Sequence, residues 1–309
     1  MHLRASLADR PPYRKFLIIV GLVMVSSVIF TSIGSGLVMT LFGVDLALWT
    51  GGSNAGPQTV QALRLFQALA AVGTFLVPAW AAAFLFSERT AEYTGLSIKP
   101  GGMRGAGILF LLFLSGIPFI NWMALVNSQL HLPGFLAQLE EWMVATEQQA
   151  ARLTELLLGG TSTTDLFWNM LVIAVLPALG EELLFRGIIQ RQFVELAGNK
   201  HVGVVLTAFL FSALHMQFFG FLPRFVLGLV LGYVFLWSGS LWLPILAHFF
   251  NNGLAVFLTW AAASGVFKIN PDVVGIAEGQ EPLLAASVFL SFAGLWMFRR
   301  LYSAEPGVE

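Results

Sequence analysis

Apolar runs of about twenty residues recur along this chain, at roughly 16–48, 62–86, 105–126, 166–189, 201–219, 221–237, 241–263 and 283–298. A helix of that length crosses the ~30 Å hydrocarbon core of a bilayer. A backbone at that depth must satisfy its own N–H and C=O groups, which a helix does. Hydrophobic residues make up 57% of the chain and charged ones 11%, where soluble domains carry about a quarter charged. The expectation is an all-α polytopic membrane bundle of eight transmembrane helices, forming a single domain over residues 1–309. The first run is much longer than the core of a cleavable leader, and no small-residue cleavage site follows it, so it reads as a retained span.

Residues 134–158 differ in kind. Phe135, Leu139, Trp142, Met143, Leu153, Leu156 and Leu157 recur at helical spacing, with Glu140, Glu141, Glu147 and Arg152 between them. That is the pattern of an amphipathic helix lying on the membrane face or capping the bundle. With the N-terminus inside, Arg4, Arg10, Arg14, Lys15, Arg89, Lys99, Arg104, Arg191, Lys200, Arg299 and Arg300 fall on one side, and Arg64, Arg152, Arg224 and Lys268 on the other. Basic residues concentrate on the cytoplasmic side, so both termini are expected in the cytoplasm, at the plasma or inner membrane of a prokaryote. Gly51–Pro57 reads as a turn-rich loop. Trp49, Trp122, Trp168 and Trp242 fall near span ends, as in an interfacial belt. Gly228 and Gly232 have the small-xxx-small spacing that lets a second helix approach closely.

Inside this apolar background stands Gly180-Glu181-Glu182-Leu183-Leu184-Phe185-Arg186. Ionisable groups at membrane depth are costly, and they normally face a protein interior or a wet cavity. Glu182 and Arg186 are four apart with the acid first, the favourable order for a helical ion pair. Glu181 lies about 100° round the helix from Glu182 and is left to point elsewhere. Two histidines also sit in apolar spans: His215, and His248 with Asn252 four residues on along one face. His2, His131 and His201 fall in loops or at span ends. The chain has no cysteine, which excludes disulfides, thiolate catalysis and cysteine metal sites.

Glu181-Glu182 with Arg186, Phe211 with His215, and His248 with Asn252 resemble, in order and spacing, the three motifs of the CPBP (Abi) family. These are the CAAX-protease and bacteriocin-processing intramembrane endopeptidases, related to the Ras-converting prenyl-protein endopeptidase. The resemblance covers about residues 165–260. It implies a polar cavity within the membrane, where Glu181 and His215 activate a water and His248 and Asn252 stabilise the oxyanion. The implied substrate is a peptide or membrane protein, which in part of the family is prenylated.

The residues agree with that chemistry. Peptide hydrolysis needs a base for water and donors where charge develops on the carbonyl oxygen. No cofactor is required, although Glu181, His215 and His248 also have the composition of a His₂Glu catalytic zinc set. Against a zinc site stands the absence of a His-Glu-x-x-His helix. Glu182 with Arg186 can be a purely structural pair, Phe211 packing beside His215, and Asn251 a bridge between helices. Two other functions fit intramembrane Glu, His and Arg: a proton-coupled transporter, which inverted repeats would favour but which are absent here, and a non-catalytic scaffold or immunity protein of the same fold. A nucleic-acid partner is not expected, and the lipid bilayer is the one partner composition requires.

Overall fold

The structure, a computed structural model, describes residues 3–46, 56–97, 102–268 and 270–303. His2, Trp49, Lys99 and most of the expected Gly51–Pro57 loop lie outside the described residues. Helices α1 (Pro12–Phe42) and α2 (Pro57–Phe86) both begin with proline at the first helical position, where the missing N–H is not needed. A short α3 (Thr90–Thr94) precedes α4 (Gly102–Ser128), and α5 (Ala137–Leu158) is the amphipathic helix. Then follow α6, a continuous helical run over 163–197, α7 (Lys200–Leu214), α8 (Phe221–Ser238), α9 (Trp242–Ala263) and α10 (Glu281–Ser303). A capping box between Ser162 and Asp165 starts α6. It ends at Gly198 in the left-handed conformation, and the Asn199 side chain caps α7 at once. Among the described residues there is no β-strand.

Among the described residues six helices are, by length and composition, able to cross a bilayer: α1, α2, α4, α8, α9 and α10. The expected count of eight is therefore corrected, and the two helices that depart from it are α6 and α7. Helix α7 has 15 residues, which is about 22 Å at 1.5 Å per residue. Its expected continuation to Phe219 breaks at His215, where the chain turns through Met216 with φ of 54° into a 3₁₀ turn at Phe218–Gly220. Helix α6 is interrupted by two π segments, Met170–Val175 and Leu183–Ile189, on either side of Leu176–Glu182.

Hydrogen bonds sort the helix ends into two groups. The N–H groups of Ala5 and Leu7 donate to the carbonyls of Phe84 and Leu85, and that of Leu241 donates to Gly95. The N-terminal segment, the end of α2, α3 and the α8–α9 turn thus share one end of the bundle. At the far end Trp260 Nε1 and Ser264 Oγ donate to Thr161 O, and buried Asn127 bonds both Phe218 O and the Leu222 N–H.

Helix α5 caps this far end. Arg64, expected as one of the few basic residues of the outer side, is buried beneath it and holds Asp165 Oδ1 (3.1 Å), Asn169 Oδ1 (3.1 Å) and Leu157 O (3.4 Å). Glu147 Oε2 accepts the Phe219 N–H at 3.2 Å. At the start of α5, His131 and the Leu132 N–H bond Glu140 and hold its carboxyl below the usual range. The hydrophobic face closes on the bundle through Leu157, which is 2% exposed, while Phe135 stays 85% exposed.

The Gly228–Gly232 spacing does what it suggested. A Cβ at Gly228 would lie 3.0 Å from Ala208 Cα, and one at Gly232 would lie 2.8 Å from Val204 Cγ1, so α7 and α8 touch along this stripe. Replacing Gly228 with leucine is expected to force the two helices apart at a cost of about 1–3 kcal/mol, read as a lower melting temperature of the purified protein in detergent.

Candidate active site

The site is built on the middle of α6. Pro177 has no N–H, so it offers no donor to the carbonyl of Ile173 four residues before it. Asn252 Nδ2 of α9 bonds that carbonyl at 3.0 Å. The two π segments bracket the turn that carries Glu181 and Glu182, and such segments are frequent at functional sites.

Glu182 and Arg186 form the expected pair, with Nη1 donating to Oε1 at 2.7 Å and both side chains fully buried. The pair has further partners. Arg186 Nη2 donates to Gly228 O at 3.1 Å, and its guanidinium lies 4.8 Å above the Phe211 ring. His248 was expected beside Asn252 at an oxyanion. Its Nδ1 instead sits 2.7 Å from Glu182 Oε1, and against a carboxylate that nitrogen carries the proton. Its other nitrogen, Nε2, is 4.0 Å from Glu181 Oε2. Glu182, Arg186 and His248 thus form one buried network that joins α6, α8 and α9.

Glu181 is the carboxylate left over. It is 8% exposed, and Oε2 has no hydrogen-bond partner among the described residues. It faces a cavity of about 510 Å³ whose walls include His215, His248 and Asn252, with Phe75 of α2 and Leu157 of α5. That size suits a specific small-ligand or peptide site. Glu182 and Arg186 are not on its wall. Of the six predicted site residues, four meet at the cavity and two stand behind it.

His215 follows the last residue of α7, and its Nδ1 donates to Phe211 O at 2.7 Å. This leaves Nε2 as the acceptor nitrogen. Asn252 spends one amide hydrogen on Ile173 O, and its Oδ1 accepts from Asn251 Nδ2 at 2.9 Å, so the amide orientation is fixed with one hydrogen spare. Asn251, expected as a helix bridge, holds its neighbour instead. Ser212 Oγ donates to Phe221 O at 2.7 Å and is engaged in structure.

Sequence reasoning treated Phe211 as packing. It packs edge-on against His215 (4.8 Å), Phe185 (5.2 Å) and His248 (6.0 Å), and also carries Arg186 on its face. Arg224, counted from the sequence only as one of the few basic residues of the outer side, lines the cavity. Nothing in the sequence marked Arg224, whereas Pro177 four residues after Ile173 was a readable signal. As to metal, no three His, Asp or Glu side chains among the described residues stand together as a ligand group. Glu181 and His248 approach to 4.0 Å and share the cavity wall with His215.

Replacing Arg186 with leucine strands a buried carboxylate and is expected to cost about 3–5 kcal/mol. The double variant Glu182→Leu/Arg186→Leu should recover part of the loss, measured by thermal unfolding in detergent.

Residues 163–254 match the family described as "Type II CAAX prenyl endopeptidase Rce1-like". Two curated relatives are similar over the same order of length. The "Uncharacterized protein YpbD" of Bacillus subtilis (strain 168) is 29% identical over 85 residues, 26% of this chain and 40% of that protein. The "Uncharacterized 24.3 kDa protein" of Escherichia coli is 34% identical over 96 residues, 30% of this chain and 44% of that protein. The chain thus spans less than half the length of the curated relatives it matches. No solved structure matches it.

Proposed function

We propose that this integral membrane chain, which belongs through residues 163–254 to the Rce1-like type II CAAX prenyl endopeptidase family, is an intramembrane endopeptidase with Glu181 as its general base. The observation that carries the proposal is the buried, hydrogen-bond-free Glu181 oxygen on the wall of a cavity it shares with His215, His248 and Asn252. Glu182 uses Oε1 on Arg186 and His248 and is kept off the cavity wall.

A water held between Glu181 Oε2 and His215 Nε2 is the nucleophile. As its oxygen bonds the scissile carbonyl carbon, Glu181 takes its proton and later delivers it to the leaving amine. The spare amide hydrogen of Asn252 donates to the carbonyl oxygen as charge develops there. His248, held by Glu182 through Nδ1, turns its Nε2 toward Glu181 at 4.0 Å. Glu182 and Arg186 are positioning residues in this scheme, acting through His248. No step runs through a metal.

An apolar cleft of about 430 Å³, with Phe113, Met123, Val230 and Phe292 on its walls, shares Arg224, Leu227 and Asn251 with the cavity. It suits an apolar part of the substrate, a prenyl chain included. The end of the bundle that gathers the basic residues faces the cytoplasm, so both termini lie there.

Glu181→Gln is expected to lower peptide cleavage by about 10²–10⁴-fold with an unchanged melting temperature. Wild-type cleavage should survive a strong chelator. Full cleavage by the folded variant in an assay on membrane-peptide and prenyl-peptide substrates would refute the proposal.

A further inference from the structure

We infer that Arg224 seats a carboxylate of the substrate at the junction of the catalytic cavity and the apolar cleft; the inference rests on the hydrolytic reading of the cavity and adds a charge requirement to the molecule it takes. Arg224 lies on the first turn of α8. It is on the wall of both spaces, the cavity of about 510 Å³ that holds Glu181 and the cleft of about 430 Å³. Among the described wall residues of the cavity it is the one lysine or arginine, and on the cleft it is the one charged side chain.

The guanidinium is built into place. Nη1 donates to Gln217 O at 3.2 Å and Nη2 donates to Gln217 Oε1. Gly220 leaves room for it, since a Cβ there would collide with Nη1 and lie 2.9 Å from Cζ. The turn at Phe218–Gly220, which ends the run through His215, therefore also fixes the arginine. Both tethers end on neutral acceptors of one residue. Three of the five N–H donors keep no bond among the described residues.

What the group lacks is a counter-charge. Among the described residues Arg224 forms no ion pair, whereas Arg64 and Arg186 each bond a carboxylate. Glu147 of α5 acts on it electrostatically, but that carboxylate accepts the Phe219 N–H at 3.2 Å and stands beyond ion-pair distance. A cation inside an apolar span is costly unless it is paired.

A substrate carboxylate supplies the missing partner. The planar arginine fork matches a carboxylate with two parallel hydrogen bonds. The cleft beside it takes an apolar part of the same molecule, in the manner of a pocket whose few polar groups fix orientation within apolar walls. The ligand is thus an apolar chain or side chain that carries a carboxylate at its polar end. The pairing also sets register, because the peptide bond that meets Glu181 then lies at a fixed span from the carboxylate held on Arg224.

Binding of defined amphiphiles tests this without turnover. The full-length protein in phosphatidylcholine nanodiscs would be titrated with N-dodecanoyl-glycine and with N-dodecanoyl-glycinamide, following the melting temperature. N-dodecanoyl-aspartic acid amidated at its α-carboxyl separates a side-chain carboxylate from a terminal one. Wild type is expected to bind at least one of the two carboxylates about tenfold or more tightly than the amide, the scale of a hydrogen bond to a charged group. The tighter of the two identifies the source. Arg224→Gln should lose the preference and Arg224→Lys should keep part of it, and the ratio of wild type to variant cancels unequal partition of the probes into lipid. A purely structural arginine would leave the preference in place in Arg224→Gln, whatever happens to the melting temperature itself. That result, or equal affinities of wild type for all three probes, overturns the inference. Should Arg224→Gln fail to fold, Val230→Trp, which fills the cleft, should abolish the preference, and a preference retained there overturns the inference as well. Undiminished cleavage by Glu181→Gln would refute the hydrolytic reading while carboxylate binding stood; Glu181-dependent cleavage without a carboxylate preference would refute the inference alone.

Discussion

The structure turns on one buried carboxylate, Glu182, that accepts from Arg186 and from His248 through the same oxygen, at 2.7 Å each. Ions taken out of water cost several kcal/mol apiece, and only close geometry with further hydrogen bonds offsets that. Arg186 meets the condition through Gly228 O and the face of Phe211. Because the partners come from α6, α8 and α9, satisfying this charge fixes three helices relative to one another. Glycine at 228 is part of the arrangement, since a side chain there would collide with α7 and push away the carbonyl that Arg186 uses.

That network also decides which of two adjacent glutamates is left for other work. Glu182 is enclosed and compensated, while Glu181, one position before it, reaches the cavity with an unbonded oxygen. Similar logic runs through the other polar groups. Phe211 O holds His215 Nδ1, Ile173 O holds one hydrogen of Asn252, and Asn251 holds the Asn252 oxygen. Each side chain on the cavity is thus tethered by one atom and presents another. Backbone irregularity supplies the tethers: Pro177 frees Ile173 O, and the end of α7 lets His215 fold back on the preceding turn.

The membrane and the cap complete the arrangement. Helices α1, α4 and α10 expose large apolar side chains such as Leu17, Leu111 and Phe289, which in a bilayer face lipid. Helix α5 instead uses Leu157 to cover the cavity, and is fastened by buried Arg64 on one side and by Glu147 on the other. The ionisable groups of the cavity thus face side chains drawn from α2, α5, α6, α8 and α9, the setting that intramembrane charges normally take.

The sequence by itself determined the membrane character, the helical class, the amphipathic 134–158 segment and the residues that would be polar at depth. These follow from local chemistry: apolar length, 3.6-residue spacing, and ionisable groups where they are costly. The Glu182–Arg186 pair was legible because it is four residues apart on one helix. The partnership of His248 with Glu182 was not, because it spans 66 positions and depends on how α9 packs against α6. Nor could the sequence place Arg224 on the cavity or count the spans. The two π segments of α6 and the break at His215 arise from fitting charged and turning backbone into a packed bundle, and a hydropathy pattern carries no record of that packing.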